Sequence, residues 1–143
     1  MNSSELTSAL REVISGLHKS LRKQSSAVYT YSMTEMETIA HLFRSSSPLL
    51  PTELAALTRI KTQSMSQILK KMEAQGIIKR TLSKNDKRKV YISLTPAGKK
   101  LVDKTKYEKD EWLKGAIDKA LNGKEKELLI KVLPVLNKLI EVK

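Results

Sequence analysis

Between Thr62 and Lys71 the chain carries a run of hydroxyl and amide side chains, Thr62, Gln63, Ser64, Ser66 and Gln67, followed by Lys70 and Lys71. Glutamine can pair bidentately with adenine, serine and threonine hydroxyls suit several bases, and lysine suits guanine or a backbone phosphate. At about 100° per residue, Gln63, Gln67 and Lys70 share one face of a helix, flanked by the other four. The chemistry on offer is recognition by hydrogen bonds and charge, with no bond made or broken. An ordinary solvated face accounts for the same residues, because polar outer faces are the default on globular helices.

The elements that must position this face settle more. Met65, Ile68, Leu69 and Met72 fall at i, i+3, i+4 and i+7, an apolar stripe that turns the helix toward a core. Ala74, Gln75 and Gly76 end the helix. Strand-like runs follow at Ile77 to Ser83 and Arg88 to Thr95, where Val90, Ile92 and Leu94 alternate with Lys89, Tyr91 and Ser93. The turn between them is Lys84-Asn85-Asp86-Lys87. From Arg59 to Lys89 there are ten cations against two anions, +8 of the chain's formal +12. A core-facing helix joined to a cationic hairpin is the pattern of a winged helix, with the helix in a major groove and the hairpin tip on phosphates or the adjacent minor groove. On this pattern Thr62, Gln63, Ser64, Ser66 and Gln67 face base edges. Lys61, Lys70, Lys71, Lys79 and Arg80 face the backbone, and Lys84, Asp86, Lys87, Arg88 and Lys89 form the wing.

From Asp86 to Gly98 the sequence fits D-x-R, five residues, then L-T-x-x-G (Asp86, Arg88, Leu94, Thr95, Gly98). It resembles the wing and following helix start of the multiple-antibiotic-resistance regulator (MarR) family. Leu54-Ala55, Met72, Gly76-Ile77-Ile78 and Arg80 agree with that resemblance in order. It implies that Arg88 enters a narrow minor groove, where negative potential attracts it, and that Asp86 holds its guanidinium. It also implies a homodimer interlocked through the first and last helices, and a repressor of a palindromic promoter site. A crevice near His18, Tyr31, Met33 and Phe43 would admit a small aromatic or phenolic anion that releases the DNA. Two alternatives stay open: Met33 and Phe43 read as core in preference to the crevice, and the terminal helices can be read as a monomeric cap. One departure is visible, since many family members have glycine in the turn where this chain has Arg59.

The expected fold is mainly α with a small β-wing, a winged helix-turn-helix flanked by N- and C-terminal dimerisation helices. Residues 1–30 form the N-terminal dimerisation helix, 31–98 the DNA-binding region and 99–143 the C-terminal dimerisation helices, in one compact chain. Leu6, Leu10, Val13, Ile14, Leu17 and Leu21 predict a first helix. Thr34 with Glu37 reads as the capping box of a second helix carrying Met36, Ile39, Ala40 and Phe43 on one face. Ser45 to Pro51 reads as a loop, with Thr52 capping a short third helix. Thr95 and Pro96 start a long helix that Asn122-Gly123 ends. Pro134 is expected to bend or interrupt the last one.

Composition narrows the classes further. With 143 residues the chain is expected to be one domain, and its pI near 9.9 calls for an anionic partner, read as double-stranded DNA. A basic membrane-surface helix fits poorly, because the cations lie on a helix whose apolar face serves the core. No cysteine is present, which excludes disulfides, thiolate metal sites and thiol redox sensing. No secretory pattern or long apolar run is seen, so a cytoplasmic protein is expected. His18 and His41 lack metal-ligand spacing, and no catalytic constellation, phosphate loop or cofactor motif stands out. The competing function is an architectural protein that coats A·T-rich DNA with little sequence preference and no ligand control. An RNA-binding module is disfavoured, because a helix cannot enter the deep, narrow major groove of A-form RNA.

Overall fold

The apolar periods become six helices and one hairpin in the computed structural model, which describes Met1–Lys143. In order these are α1 (Ser3–Lys23), a 3₁₀ turn (Ser26–Tyr29), α2 (Met33–Arg44), α3 (Pro51–Thr58), α4 (Thr62–Ala74), β1 (Ile78–Leu82), β2 (Val90–Leu94), α5 (Pro96–Ala120) and α6 (Gly123–Ile140). The fold is mainly α, with a two-stranded antiparallel sheet as the wing. No helix is long and apolar enough to cross a membrane. The chain resolves into two compact units, Ser25–Glu108 and Met1–Gln24 with Lys109–Lys143.

The Ser25–Glu108 unit is built on the stripe predicted for α4. Met65, Leu69 and Met72 are fully buried against Ile39 and Leu42 of α2, Leu54 and Ala55 of α3, Ile78, Ile92 and Leu94 of the hairpin, and Val102 of α5. Each such side chain withdrawn from water contributes about 1.5–3 kcal/mol. Ile68 lies at the edge of this core. The hairpin pairs Ile78 with Leu94, Arg80 with Ile92 and Leu82 with Val90. Leu49, in the segment expected to be plain loop, exchanges backbone hydrogen bonds with Ile92 at 3.0 and 2.7 Å and extends the sheet by one bridge. At the start of the unit, Ser26 donates to Glu108 from both its backbone N–H and its hydroxyl, at 3.1 and 3.0 Å.

Three expectations about helix starts and faces are corrected. α2 is capped by Ser32, not Thr34: the Ser32 hydroxyl accepts from Glu35 N–H at 3.1 Å, and Glu35 accepts from Ser32 N–H at 3.2 Å. Its buried residues are Glu35, Thr38, Ile39 and Leu42, so the core face is rotated from the predicted one. Thr38 can lie there because its hydroxyl donates to Thr34 C=O at 2.7 Å. Met33 and Phe43 are therefore not core, at 56 % and 37 % exposed. α3 starts one residue before Thr52, at Pro51, with Leu50 at the cap position and Glu53 accepting from Leu50 N–H at 2.9 Å.

α3 ends on Arg59, at φ 57° and ψ 41°, the only non-glycine residue of the chain with positive φ. The conformation is the one a glycine would adopt at a helix C-terminus. For a residue with a Cβ it costs about 1–2 kcal/mol. α4 ends more cheaply, on Gly76 at φ 75°, with Ile77 N–H donating to Met72 C=O at 3.0 Å. Thr95 then locks β2 and α5 to that end. Its N–H donates to Ile77 C=O at 3.0 Å, its hydroxyl donates to Gly76 C=O and Ile77 C=O, and the same oxygen accepts from Gly98 N–H at 3.1 Å.

The other unit has no buried residue on α1 or α6. Leu6, Val13, Ile14 and Leu17 are half exposed or more, as are Leu128, Ile130, Leu133 and Leu139. α1 begins at an Asn2–Glu5 capping box and α6 at an Asn122–Glu125 box. α6 runs through Pro134, so of the expected bend or interruption the interruption does not occur; the ring lacks the N–H that would have reached the Ile130 carbonyl.

Candidate nucleic-acid interface

The stripe that buries Met65, Leu69 and Met72 leaves Thr62, Gln63, Ser64, Ser66 and Gln67 all exposed, together with Lys61 and Lys70. The five short polar side chains thus share the outward side of one helix, as their spacing predicts. The start of α4 differs from those of α1, α2 and α6. Its N-cap, Lys61, supplies no side-chain hydrogen bond, and its first turn has no acid. The first-turn N–H groups, which a side-chain oxygen caps in α1, α2 and α6, have no such cap here and follow a cation.

The wing is held by its own side chains. The Ser83 hydroxyl accepts from Asn85 N–H at 3.3 Å and Asp86 N–H at 3.2 Å, and Ser83 N–H closes on Lys89 C=O at 2.9 Å. Asp86 Oδ1 accepts from Arg88 N–H at 3.0 Å and from Arg88 Nε at 3.2 Å, while Oδ2 meets Nη2 at 3.4 Å. The Arg88 side-chain bond, and then its backbone N–H, hold the Asp86 carboxyl below its ordinary value, with Lys89 adding to this. The Arg88 side chain is nevertheless 91 % exposed. It is an oriented cation that remains open to a partner. Lys84, Lys87 and Lys89 surround it and are exposed.

Two of the cations expected on a backbone have internal partners. Lys71 Nζ lies 2.8 Å from Glu35 Oε1, and Arg80 Nε lies 3.0 Å from Glu73 Oε2. Glu35 is 5 % exposed and lies outside the set of site residues that the sequence suggests; the signal that points to it is Ser32-x-x-Glu35, two residues before the expected cap of α2. The pair ties the cap of α2 to the last turns of α4. Lys71→Met is expected to lower stability by about 1–2 kcal/mol, because the Glu35 carboxylate is left buried with only its cap bond. Glu35→Gln should cost less, and the double variant less than the two singles summed, in a urea-unfolding cycle. Additive losses would show that the pair does not act as a unit.

Of the residues expected to line a ligand crevice, His18 is exposed on α1, Met33 is exposed at the start of α2, and Tyr31 is half-buried. The Tyr31 hydroxyl is pushed up from its ordinary value by burial and then by the Glu35 carboxylate, with Lys71 opposing. Phe43 borders a cavity, of about 330 Å³, whose wall also carries Pro48, Lys79, Ile92 and Lys99. Lys106 stands over the Phe43 ring, 4.2 Å from its centre. Lys79 is thus the third expected backbone cation whose setting is not simply open solvent.

Residues 32–89, which span α2 to the wing, match the model of the MarR family. The HTH-type transcriptional regulator FarR of Neisseria gonorrhoeae is 39 % identical over 79 residues, 55 % of this chain and 53 % of FarR, so the match spans about half the length of that relative. The fold is similar to that of the transcriptional regulator Tm0710 from Thermotoga maritima, with a TM-score of 0.81, 16 % identity and coverage of 99 % and 100 % of the two chains. It is also similar to Staphylococcus aureus MepR in a DNA complex, with a TM-score of 0.69, 21 % identity and coverage of 92 % and 98 %. The segment that matches the MarR family model is thus the one that carries the exposed face of α4 and the oriented wing arginine.

Proposed function

We propose that the chain is a cytoplasmic, homodimeric, sequence-specific DNA-binding transcriptional regulator that represses by occupying a palindromic promoter site. The observation that carries this reading is the pairing of an outward α4 face made of Thr62, Gln63, Ser64, Ser66 and Gln67 with a wing whose Arg88 is aimed by Asp86 and left exposed. In this reading α4 lies in the major groove and selects bases, while Lys61, Lys70 and the wing lysines bind phosphates. Residues 31–98 do the binding. Residues 1–30 and 99–143 supply the dimer, supported by the half-exposed apolar side chains of α1 and α6, which a second copy would cover. A two-fold axis then sets two recognition helices about 34 Å apart, which calls for half-sites one helical turn apart. A small anionic effector is part of the proposal, and the Lys79 and Lys99 ammonium groups beside Phe43 would suit one.

The test is a footprint of the purified chain on the DNA upstream of its own gene, repeated across salt concentrations. One short, two-fold symmetric protected site that survives moderate salt is the expected result. A dimer touching six to ten phosphates should also lose roughly 10³–10⁵ in affinity between 50 and 200 mM salt. Diffuse protection that vanishes as salt rises would favour the architectural protein instead.

A further inference from the structure

The turn between α3 and α4 contains a residue that the fold does not need. Arg59 holds a left-handed backbone that glycine adopts without strain, and it is the one side-chain-bearing residue of the chain to do so. What the turn requires of that position comes from the backbone. Arg59 N–H donates to Ala55 and Ala56 carbonyls, and Ile60 N–H donates to Ala55 C=O at 3.1 Å, bonds a glycine would make equally well. The side chain returns nothing internally: Arg59 is exposed, and its guanidinium enters none of the chain's five ion pairs. Strain of this kind persists where function uses it. In a helix-turn-helix the first helix crosses the nucleic-acid backbone and the N-terminal residues of the second reach base edges, so the turn joining them lies along the phosphate rim.

We propose that Arg59 is a DNA-phosphate contact, kept in a strained backbone at the expense of stability. The inference rests on the DNA-binding reading above and adds to it a residue outside both α4 and the wing. Exposed Lys61, two residues on, places a second cation at the same end of α4, so the turn and the helix start form one cationic edge. A guanidinium there suits a phosphate, to which it can donate two parallel hydrogen bonds.

Three variants of the full chain test it: Arg59→Gly, which relieves the strain and removes the charge; Arg59→Asn, which removes the charge with a residue tolerant of the left-handed region; and Arg59→Lys, which keeps both. Each is measured for its thermal midpoint and for affinity against salt, on the site the wild type protects and on a random duplex of equal length. The expected result is opposite movement of the two readouts. Arg59→Gly should unfold a few degrees higher yet bind both duplexes about five- to tenfold more weakly, with the salt slope smaller by about one unit per protomer. Arg59→Asn should repeat the binding loss, and Arg59→Lys should keep the slope. A more stable Arg59→Gly with unchanged affinity and slope would overturn the contact while leaving the DNA-binding reading intact. Weaker binding with an unchanged slope would also overturn it, since no phosphate charge would be involved. A lower thermal midpoint for Arg59→Gly would overturn the strain on which the inference depends. A wild type that binds neither duplex would remove the DNA-binding reading and this inference with it.

Discussion

Gly98→Ala is expected to destabilise the Ser25–Glu108 unit by about 3 kcal/mol, lowering the thermal midpoint by about 10 °C. A Cβ at residue 98 would clash with the Ile77 carbonyl oxygen and lie 3.3 Å from its carbon and 3.1 Å from Leu94 Cδ2. The obstacle is backbone, which cannot rotate away as a side-chain end would. Relief requires the first turn of α5 to leave β1, and that breaks the Thr95 bonds to Gly76 and Ile77. The sign makes the prediction sharp, because replacing glycine by alanine inside a helix ordinarily gains about 0.8–1 kcal/mol. Gly115 provides the control in the same helix. It has nothing within 4 Å of an added Cβ, and its neighbours one turn away include Glu111, Asp118 and Lys119. Gly115→Ala should therefore raise the urea midpoint while Gly98→Ala lowers it. Equal shifts would mean that the close approach at Gly98 does not hold in solution.

The second large effect is expected at the wing. Arg88→Ala should weaken binding about tenfold or more on every duplex alike and reduce the salt slope by about one unit per protomer, because a minor-groove or phosphate contact carries charge more than sequence. Asp86→Ala separates aim from charge. It makes the chain more cationic, so net charge alone predicts tighter binding; a positioning role predicts weaker binding, since three hydrogen bonds that orient Arg88 disappear. Tighter binding by Asp86→Ala would defeat the positioning role. The pH dependence has a definite sign. The Asp86 carboxyl is held below its ordinary value, so its contribution is fully present above the unfolded-state value, near 3.9, and is lost as pH falls through the folded one. Wing order, followed through the Arg88 side-chain NMR signals, should be constant through neutral pH and fail only in acid below the usual carboxylate range.

The parts of this molecule that were legible in its sequence are those with a short period or a fixed offset. The α4 stripe at i, i+3, i+4 and i+7 and the D-x-R spacing of the wing are local, and both took the expected form. Where two local patterns competed, the sequence could not choose. Ser32-x-x-Glu35 and Thr34-x-x-Glu37 are equally good boxes, and the choice falls to Ser32 where Glu35 also meets Lys71, 36 residues away. That distant pair also lets a carboxylate sit in the buried face of α2, which rotates the helix and exposes Phe43. Lys71 and Arg80 were readable as cations, but their internal partners were not, because ion pairs between elements have no sequence period. Arg59 and Pro134 are a third kind of case. Each violates a local rule, at a helix end and within a helix, and each is accommodated: Arg59 with the backbone a glycine would have, Pro134 with α6 unbroken.

α4 starts without the reciprocal side-chain bonds that close the first turns of α1, α2 and α6. Helix starts that lack such bonds fray, and each missing cap is worth about 1 kcal/mol of local order. The first turn of α4 holds Thr62, Gln63 and Ser64, so on the proposed function some of the ordering of the reading head is deferred until it docks. That entropy is charged to every duplex equally, and it subtracts from how tightly the protein holds DNA without altering how well it tells one duplex from another. An acidic or hydroxyl cap at Lys61 would tighten the turn in the free protein, but it would set an acceptor where a phosphate has to come. The helix that reads DNA on the proposed function is thus a helix whose N-cap side chain makes no bond, in a chain that closes α1, α2 and α6 with reciprocal boxes.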